Sequence, residues 1–247
     1  MSETILKEKV SQIKENLEEI DCRIEQAVNK AGRERSEIKV IAVTKLMPVE
    51  TILAGIEAGL RDFGENYPEQ AVEKISELPE GVDITWHMIG HIQSRKTSTV
   101  CTYFDWVHSV DRMKIARYVD RYSRESDRIM PVLIEVNISG EESKYGWRAW
   151  DEESWSDLVP DFEKIAEMSN LEIKGLMTMP PFFDDPELTR PYYQRLRQLQ
   201  AFLIEHLPDI CWETLSIGTS FDYDIAIEEG ATMVRLGTSL LGPRPTR

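Results

Sequence analysis

Eight short runs of β-forming residues recur along this chain, each separated from the next by a segment with helical periodicity. The runs are IKVIAVTK (38–45), RDFGEN (61–66), DITWHMIG (83–90), FDWVHSV (104–110), MPVLIEVNIS (130–139), LEIKGLMTM (171–179), ETLSIG (213–218) and ATMVRLG (231–237). Strands that alternate with helices pair in parallel, because a helix must carry the chain back before the next strand begins. Right-handed crossovers with both faces covered then close most simply into a (β/α)8 barrel. An open doubly wound sheet is the competing architecture, and no GxGxxG motif follows the first strand to support it.

Ahead of the first run, Ile5/Leu6, Val10, Ile13, Leu17, Ile20, Ile24 and Val28 step by three and four along one stripe of a long helix. The stripe ends at Ala31-Gly32-Arg33, just before the first strand, so this helix (within 1–32) is expected to dock on the barrel (38–244) rather than form a coiled coil. The 247 residues are read as a single domain, since α/β barrels of this length are routinely undivided. The segment SGEESKYGWRAWDEESW is expected to loop over the barrel mouth, with Trp147, Trp150 and Trp155 as packing residues; the acidic, Trp-rich part at 147–157 has no assigned role.

Composition narrows the partners. With 44 acidic against 29 basic side chains the formal charge is −15, which repels nucleic acid and anionic membranes, and no basic stripe offsets it. The start has no apolar signal core, and no run approaches the ~18 apolar residues of a membrane span. Cys22, Cys101 and Cys211 are too few and too scattered for a disulfide framework, so reduced thiols and a cytoplasmic address are expected.

Barrel enzymes place their chemistry at the C-terminal ends of the strands and often hold phosphate with the loops after strands seven and eight. The tripeptide Gly-Thr-Ser falls on those two loops, in LSIGTSFDYD and MVRLGTSLLG. Glycine admits a ligand close to the backbone and the free N–H groups that follow attract negative charge, so Ser220, Gly237 and Thr238 form a candidate phosphate cup. The alternative is that the glycines only turn the strand ends. Lys45 ends the first strand, where partial desolvation can lower its pKa and let the amine attack a carbonyl; it can equally be a surface lysine opening a loop. A Schiff-base lysine beside a phosphate cup suggests pyridoxal 5′-phosphate (PLP), a phosphorylated aldehyde. Arg235, two residues before Gly237, can donate a hydrogen bond to an unprotonated pyridine nitrogen, or pair with a core carboxylate.

Asn66, His87 and Asn137 add polar groups at three further strand ends; Asn66 can bond a ring hydroxyl or cap the next helix. His87 and His91 as a zinc pair need further ligands, and no zincin signature accompanies them, so no metal is expected. Asp222 and Asp224 are read as the start of a helix.

With those residues in place, the sequence resembles the pyridoxal phosphate homeostasis proteins, whose fold is similar to the N-terminal barrel of alanine racemase. The resemblance runs from about Ile38 to Arg244 through AVTK (42–45), FGENY (63–67), WHMIGHIQSRK (86–96), VNIS with SKYG (136–146), KGLMTMP (174–180), LSIGTSFDYDIAI (215–227) and TMVRLGTSLLGPR (232–244). It implies an internal aldimine on Lys45, phosphate contacts at Ser220, Gly237 and Thr238, Arg235 at the pyridine nitrogen, and Asn66 near the ring. Thr219 stands where the family usually has methionine and Arg95 where it usually has asparagine; neither is an expected contact residue. The implied function is to hold PLP and to buffer it or deliver it to apo-enzymes, without robust catalytic activity of its own; a monomer is expected because no interface domain is evident in the sequence. An amino-acid racemase is the alternative. Related racemases add a C-terminal β-domain, whereas the sequence here ends five residues past Gly242. A Schiff-base aldolase acting on a sugar phosphate is a third reading.

Overall fold

In the computed structural model the described residues are 3–244, so the outer limits of the expected domain, residues 1–2 and 245–247, lie outside them. Eight strands form the barrel: β1 Lys39–Val43, β2 Asp62–Glu65, β3 Thr85–Met88, β4 Trp106–Val110, β5 Met130–Asn137, β6 Leu171–Met177, β7 Thr214–Thr219 and β8 Met233–Leu236. All pair in parallel. Each neighbours the next in sequence, and β1 with β8 (Lys39↔Met233 to Ala42↔Leu236) closes the ring. The open-sheet alternative is excluded by that closure. A two-residue extension, Trp147–Arg148, pairs with the end of β5 outside the barrel.

Helices follow the strands: α2 Val49–Glu57, α3 Pro68–Glu77, α4 Thr97–Tyr103, α5 Met113–Glu125, α6 Val159–Ala166, α7 Arg190–His206, α8 Tyr223–Glu228 and α9 Thr238–Leu241. Proline stands in the first turn of α3, α6 and α7, where its missing N–H would have no helical acceptor anyway. Ile52, Phe63, Trp86, Val100, Phe104, Phe162, Leu196 and Ile227 fill the layer between strands and helices. After the Trp-rich segment the chain forms a 3-10 turn at Glu152–Asp157, opened by the Asp151 carboxylate accepting from the Glu153 N–H, and then α6. Trp147 and Trp155 do pack: their indole N–H groups donate to the carbonyls of Val110 and Ala149.

The N-terminal helix α1, Glu3–Ala31, spans the seam of the ring. It lies on α2, α8 and α9, the helices of the first and last two units. Val10, Ile13, Ile20, Ile24 and Val28 are buried along the expected stripe, with Leu6 and Leu17 partly so, while Ile5 stays exposed. The stripe is consumed by the chain's own barrel. Asn16 donates to the Leu240 carbonyl at 2.9 Å, and Arg23 and Lys30 pair with Asp224 and Glu228 at 2.6 and 2.7 Å. The three cysteines are free thiols. Among the described residues no helix is long and apolar enough to cross a membrane, and no cluster suits a metal ion.

Candidate functional site

At the C-terminal ends of β1, β2, β7 and β8 a cavity of about 270 Å³ opens to solvent. That is the small end of the ~300–1,000 Å³ range of ligand pockets. Lys45, Asn66, Ser220, Arg235, Gly237 and Thr238 all line it, so six of the eight residues expected at a site from sequence converge on one space.

Lys45 sits two residues beyond β1 and is held from below. The Lys74 ammonium donates to the carbonyl of Thr44 at 2.8 Å and to Glu65 at 2.5 Å, and the Thr44 hydroxyl donates to the same Glu65 oxygen. The next residue, Leu46, has φ of 62°, which costs a branched side chain strain of order 1 kcal/mol and turns the chain sharply off the strand. The Lys45 amine makes no hydrogen bond or ion pair among the described residues. Burial, with the charges of Arg244 and Arg235, pulls its pKa below the ordinary lysine value, and the Glu65 carboxylate opposes them. The result is an uncommitted amine that loses its proton more readily than a surface lysine, as nucleophilic chemistry requires.

The two Gly-Thr-Ser loops close the opposite wall, and their glycines serve different ends. Gly218 has φ of 86°, and a Cβ there would meet the Ala226 Cβ at 2.6 Å, so it lets α8 pack against β7. Gly237 has only ordinary contacts to offer a Cβ, to Val43 at 3.7 Å. Protein packing leaves that space open, and it belongs to the cavity. Beside it the N–H groups of Gly237 and Ser239 and the Ser239 hydroxyl all point to the Ser220 Oγ, at 3.1, 3.3 and 2.9 Å. Three donors converging on one oxygen at the cavity wall can serve an anionic oxygen equally well.

Asp222 organises the first loop, a role not foreseen from sequence. It does stand at the N-cap position of α8, yet its carboxylate turns back and accepts from the Thr219 N–H at 2.8 Å and the Thr219 hydroxyl at 2.9 Å. The buried Tyr193 hydroxyl donates to the other oxygen at 2.5 Å. Burial and the neighbouring Asp222 charge push the Tyr193 phenol well above its ordinary range, so it remains a donor.

Arg235 is buried. Its Nη1 donates to the Ser216 carbonyl and hydroxyl, and its Nη2 to the Thr178 carbonyl at 3.1 Å and the Met179 sulfur at 2.8 Å. Among the described residues the Nε–H has no partner, leaving one charged donor at the cavity. Its pairing is thus with carbonyls, a hydroxyl and a thioether, not with the core carboxylate that the alternative reading invoked. Arg244 and Met179 also line the cavity and were not singled out from sequence. The Asn66 Oδ1 is buried with no partner among the described residues.

His87 and Asn137 do not join the cavity. His87 is wholly buried along the barrel axis, bonded to Asp62 and His108. Asn137 binds its own loop: its amide donates to the Glu141 carbonyl at 2.9 Å, and its Oδ1 accepts from the Ser139 and Gly140 N–H groups. A side-chain amide at a strand end satisfies the nearest turn backbone first. Arg95, with His91, Lys96 and Tyr145, lines a neighbouring cavity that shares Asn66.

Residues 15–245 match the family model described as alanine racemase, N-terminal domain. The pyridoxal phosphate homeostasis protein of Vibrio cholerae is 40% identical over 235 residues, which are 94% of this chain and 96% of that protein. The chain belongs to the family of pyridoxal phosphate homeostasis proteins. The Escherichia coli member is 36% identical over 239 residues, covering 95% of this chain and 98% of its own. Among solved structures, PipY of Synechococcus elongatus with PLP bound superposes with a TM-score of 0.81 at 31% identity, over 94% of this chain and all of PipY. An alanine racemase of Clostridium difficile superposes with a TM-score of 0.68 at 15% identity, a likeness of fold, with this chain spanning 57% of the racemase.

Proposed function

We propose that this chain binds pyridoxal 5′-phosphate at the cavity between Lys45 and the Gly237 loop and serves PLP homeostasis, holding the cofactor on Lys45 and releasing it to apo-enzymes. One observation carries the reading: an uncommitted amine, a converging set of N–H and hydroxyl donors, and a free charged N–H of Arg235 line one small cavity. The family membership and the PLP-bound PipY support it. The residues fit the group. The space that a Cβ at Gly237 would fill is open to a phosphate, and the orphaned Asn66 Oδ1 can accept from a ring hydroxyl.

In this reading PLP supplies an aldehyde that an amine takes up with loss of water, together with a visible chromophore. The protein's own parts then divide the work. Glu65, Lys74 and Thr44 fix the height of Lys45 above the barrel. Ser220, Gly237 and Thr238 bind the phosphate end, with Asp222 bracing the loop through Thr219. The Arg235 Nε–H orients the ring end by donating to its nitrogen, which a guanidinium does not protonate. The cavity opens to solvent on the mouth, which suits exchange with other proteins. Barrel and N-terminal helix act as one unit, in the cytoplasm and as a monomer.

The test is the visible spectrum of the purified protein loaded with PLP and freed of unbound cofactor by gel filtration, before and after borohydride, for the native chain and Lys45→Ala. A band lost on reduction, with the reduced cofactor located on Lys45 by mass spectrometry and no band in the variant, is the expected result. Absence of any protein-bound band after loading at saturating PLP and removal of free cofactor overturns the reading. An alanine racemisation assay on the loaded protein separates the carrier from the racemase alternative.

A further inference from the structure

The barrel axis holds a line of polar groups that the proposed site does not use. At the floor, Asp62 begins β2 beside a cavity of about 480 Å³ that it shares with Lys39, Thr214 and Thr232, so it has access to solvent from the face opposite the mouth. Its Oδ1 accepts from Lys39 at 2.7 Å and lies 2.9 Å from His87 Nε2. His87 Nδ1 is 3.0 Å from His108 Nε2, and His108 Nδ1 is 2.9 Å from the Ser216 hydroxyl. Ser216 in turn accepts from Arg235 Nη1 at 2.7 Å. Both imidazoles and Ser216 are 0% exposed. Barrel interiors are ordinarily packed with branched apolar side chains, so this line occupies positions where a valine or leucine would suffice.

The hydrogens along the line can be placed from chemistry alone. The Asp62 carboxylate only accepts and Arg235 only donates, so His87 gives its Nε2–H to Asp62 at one end and Ser216 Oγ accepts from Arg235 at the other. His87 Nδ1 is then an acceptor, so His108 carries its proton on Nε2 and donates to it, and Ser216 gives its single hydrogen to His108 Nδ1. Two neutral rings in the same tautomer satisfy every atom, and all donors point from mouth to floor. A second proton on either ring places donor against donor, next to the Arg235 charge. The charged groups facing the rings are Asp62, Lys39 and Asp105 around His87, and Arg235 beyond His108. Burial holds both rings below the ordinary histidine pKa; the Asp62 bond opposes this at His87, and His87 and Arg235 reinforce it at His108.

We propose that Asp62, His87, His108 and Ser216 form a one-directional hydrogen-bond relay through the barrel that positions Arg235, with Asp62 at the solvent-facing floor setting its direction. By occupying Nη1, the relay leaves the Nε–H as the donor presented at the mouth. The inference concerns positioning residues, and its functional consequence rests on the PLP reading.

Two measurements test it. In PLP-free protein labelled with ¹⁵N at histidine, both rings are expected to be neutral with the proton on Nε2 at pH 7. Asp62→Leu is expected to move the His108 nitrogen resonances as well as those of His87, although of the two rings Asp62 touches only His87, and Asp62→Asn, which keeps an acceptor, is expected to move them less. A proton on Nδ1 of either ring, or an Asp62→Leu effect that stops at His87, overturns the relay. In the second arm Ser216→Ala is expected to weaken PLP binding roughly tenfold, the scale of one hydrogen bond to a charged group, and Ser216→Thr to restore most of it. Equal loss in both variants overturns the positioning role. If the native protein binds no PLP, the cofactor reading fails while the tautomers still decide the relay.

Discussion

Lys74 and Glu65 meet at 2.5 Å directly beneath Lys45, with the Glu65 side chain fully buried and that of Lys74 nearly so. Their pairing also ties down the Thr44 carbonyl, the last backbone acceptor before the reactive lysine. Breaking a buried pair from one side leaves an uncompensated charge, which typically costs about 3–5 kcal/mol. Lys74→Met is therefore expected to lower unfolding free energy by that amount in urea titrations. The double variant Lys74→Met/Glu65→Leu is expected to recover a large part of it. Equal stability of the single and double variants would show that the pair does not hold the strand end.

Arg244 lowers the Lys45 pKa by like-charge repulsion across the cavity mouth. Arg244→Gln removes a cation, so the ammonium becomes easier to keep and the lysine pKa rises. The pH midpoint for borohydride-fixable attachment of PLP is expected to move upward, and more so at low salt than at high salt, because exposed charges are screened. A midpoint unmoved at low ionic strength would place Arg244 outside the lysine's electrostatic environment.

Gly237 and Gly218 offer a paired test of what each glycine is for. Gly237→Ala is expected to change stability by less than about 1 kcal/mol, since its Cβ meets only ordinary contacts. The same methyl fills the cradle, so PLP affinity is expected to fall more than about tenfold, on the scale of a steric misfit of 1–3 kcal/mol. Gly218→Ala, with φ of 86° and a 2.6 Å clash, is expected to destabilise the fold by about 2 kcal/mol or more. Urea titration and PLP titration of both variants decide the matter, and a reversed pattern would contradict the assignment.

Glu135 lies inside the barrel with one oxygen unpartnered among the described residues. Burial, and then the neighbouring Asp111 carboxylate, push its pKa up to about 8, with Arg235 and Arg112 opposing. The folded protein therefore keeps a proton that the unfolded chain releases near pH 4.5. Its contribution is fully present below that value and is lost as pH rises toward and through 8, by several kcal/mol overall. Glu135→Gln cannot ionise, so its melting temperature is expected to exceed that of the native chain at pH 9 and to converge with it near pH 5. Parallel melting curves across that range would show that Glu135 is not a buried proton holder.

How much of this was legible beforehand depends on the range of the forces involved. Strand and helix alternate because β-branched runs and helical stripes are local patterns, and eight parallel units have few ways to close. Lys45, Ser220, Arg235 and Gly237 were readable because a barrel places every strand end on one rim. Asp222 reads as a helix start, and it does occupy that position, but its carboxylate is held between Thr219, three residues back in the same turn, and Tyr193, which reaches it from α7. Nearness to a strand end puts His87 at the rim when the sequence alone is read. One register step decides instead that it faces His108 across the interior. Arg244 reaches the site from the far side of α9, a contact with no signature in local spacing.

The bond from Asn16 to the carbonyl of Leu240 spans 224 positions of the chain. During synthesis the first helix therefore leaves the ribosome long before the surface that covers its apolar stripe exists. Non-local closure of this kind is slow, and it leaves hydrophobic surface bare while the chain grows. Lys45 is made early, whereas the loops proposed to grip the phosphate are among the last segments to emerge. The newborn chain thus carries its amine well before it can hold an anion, and any cofactor it keeps must be acquired after the ring has closed.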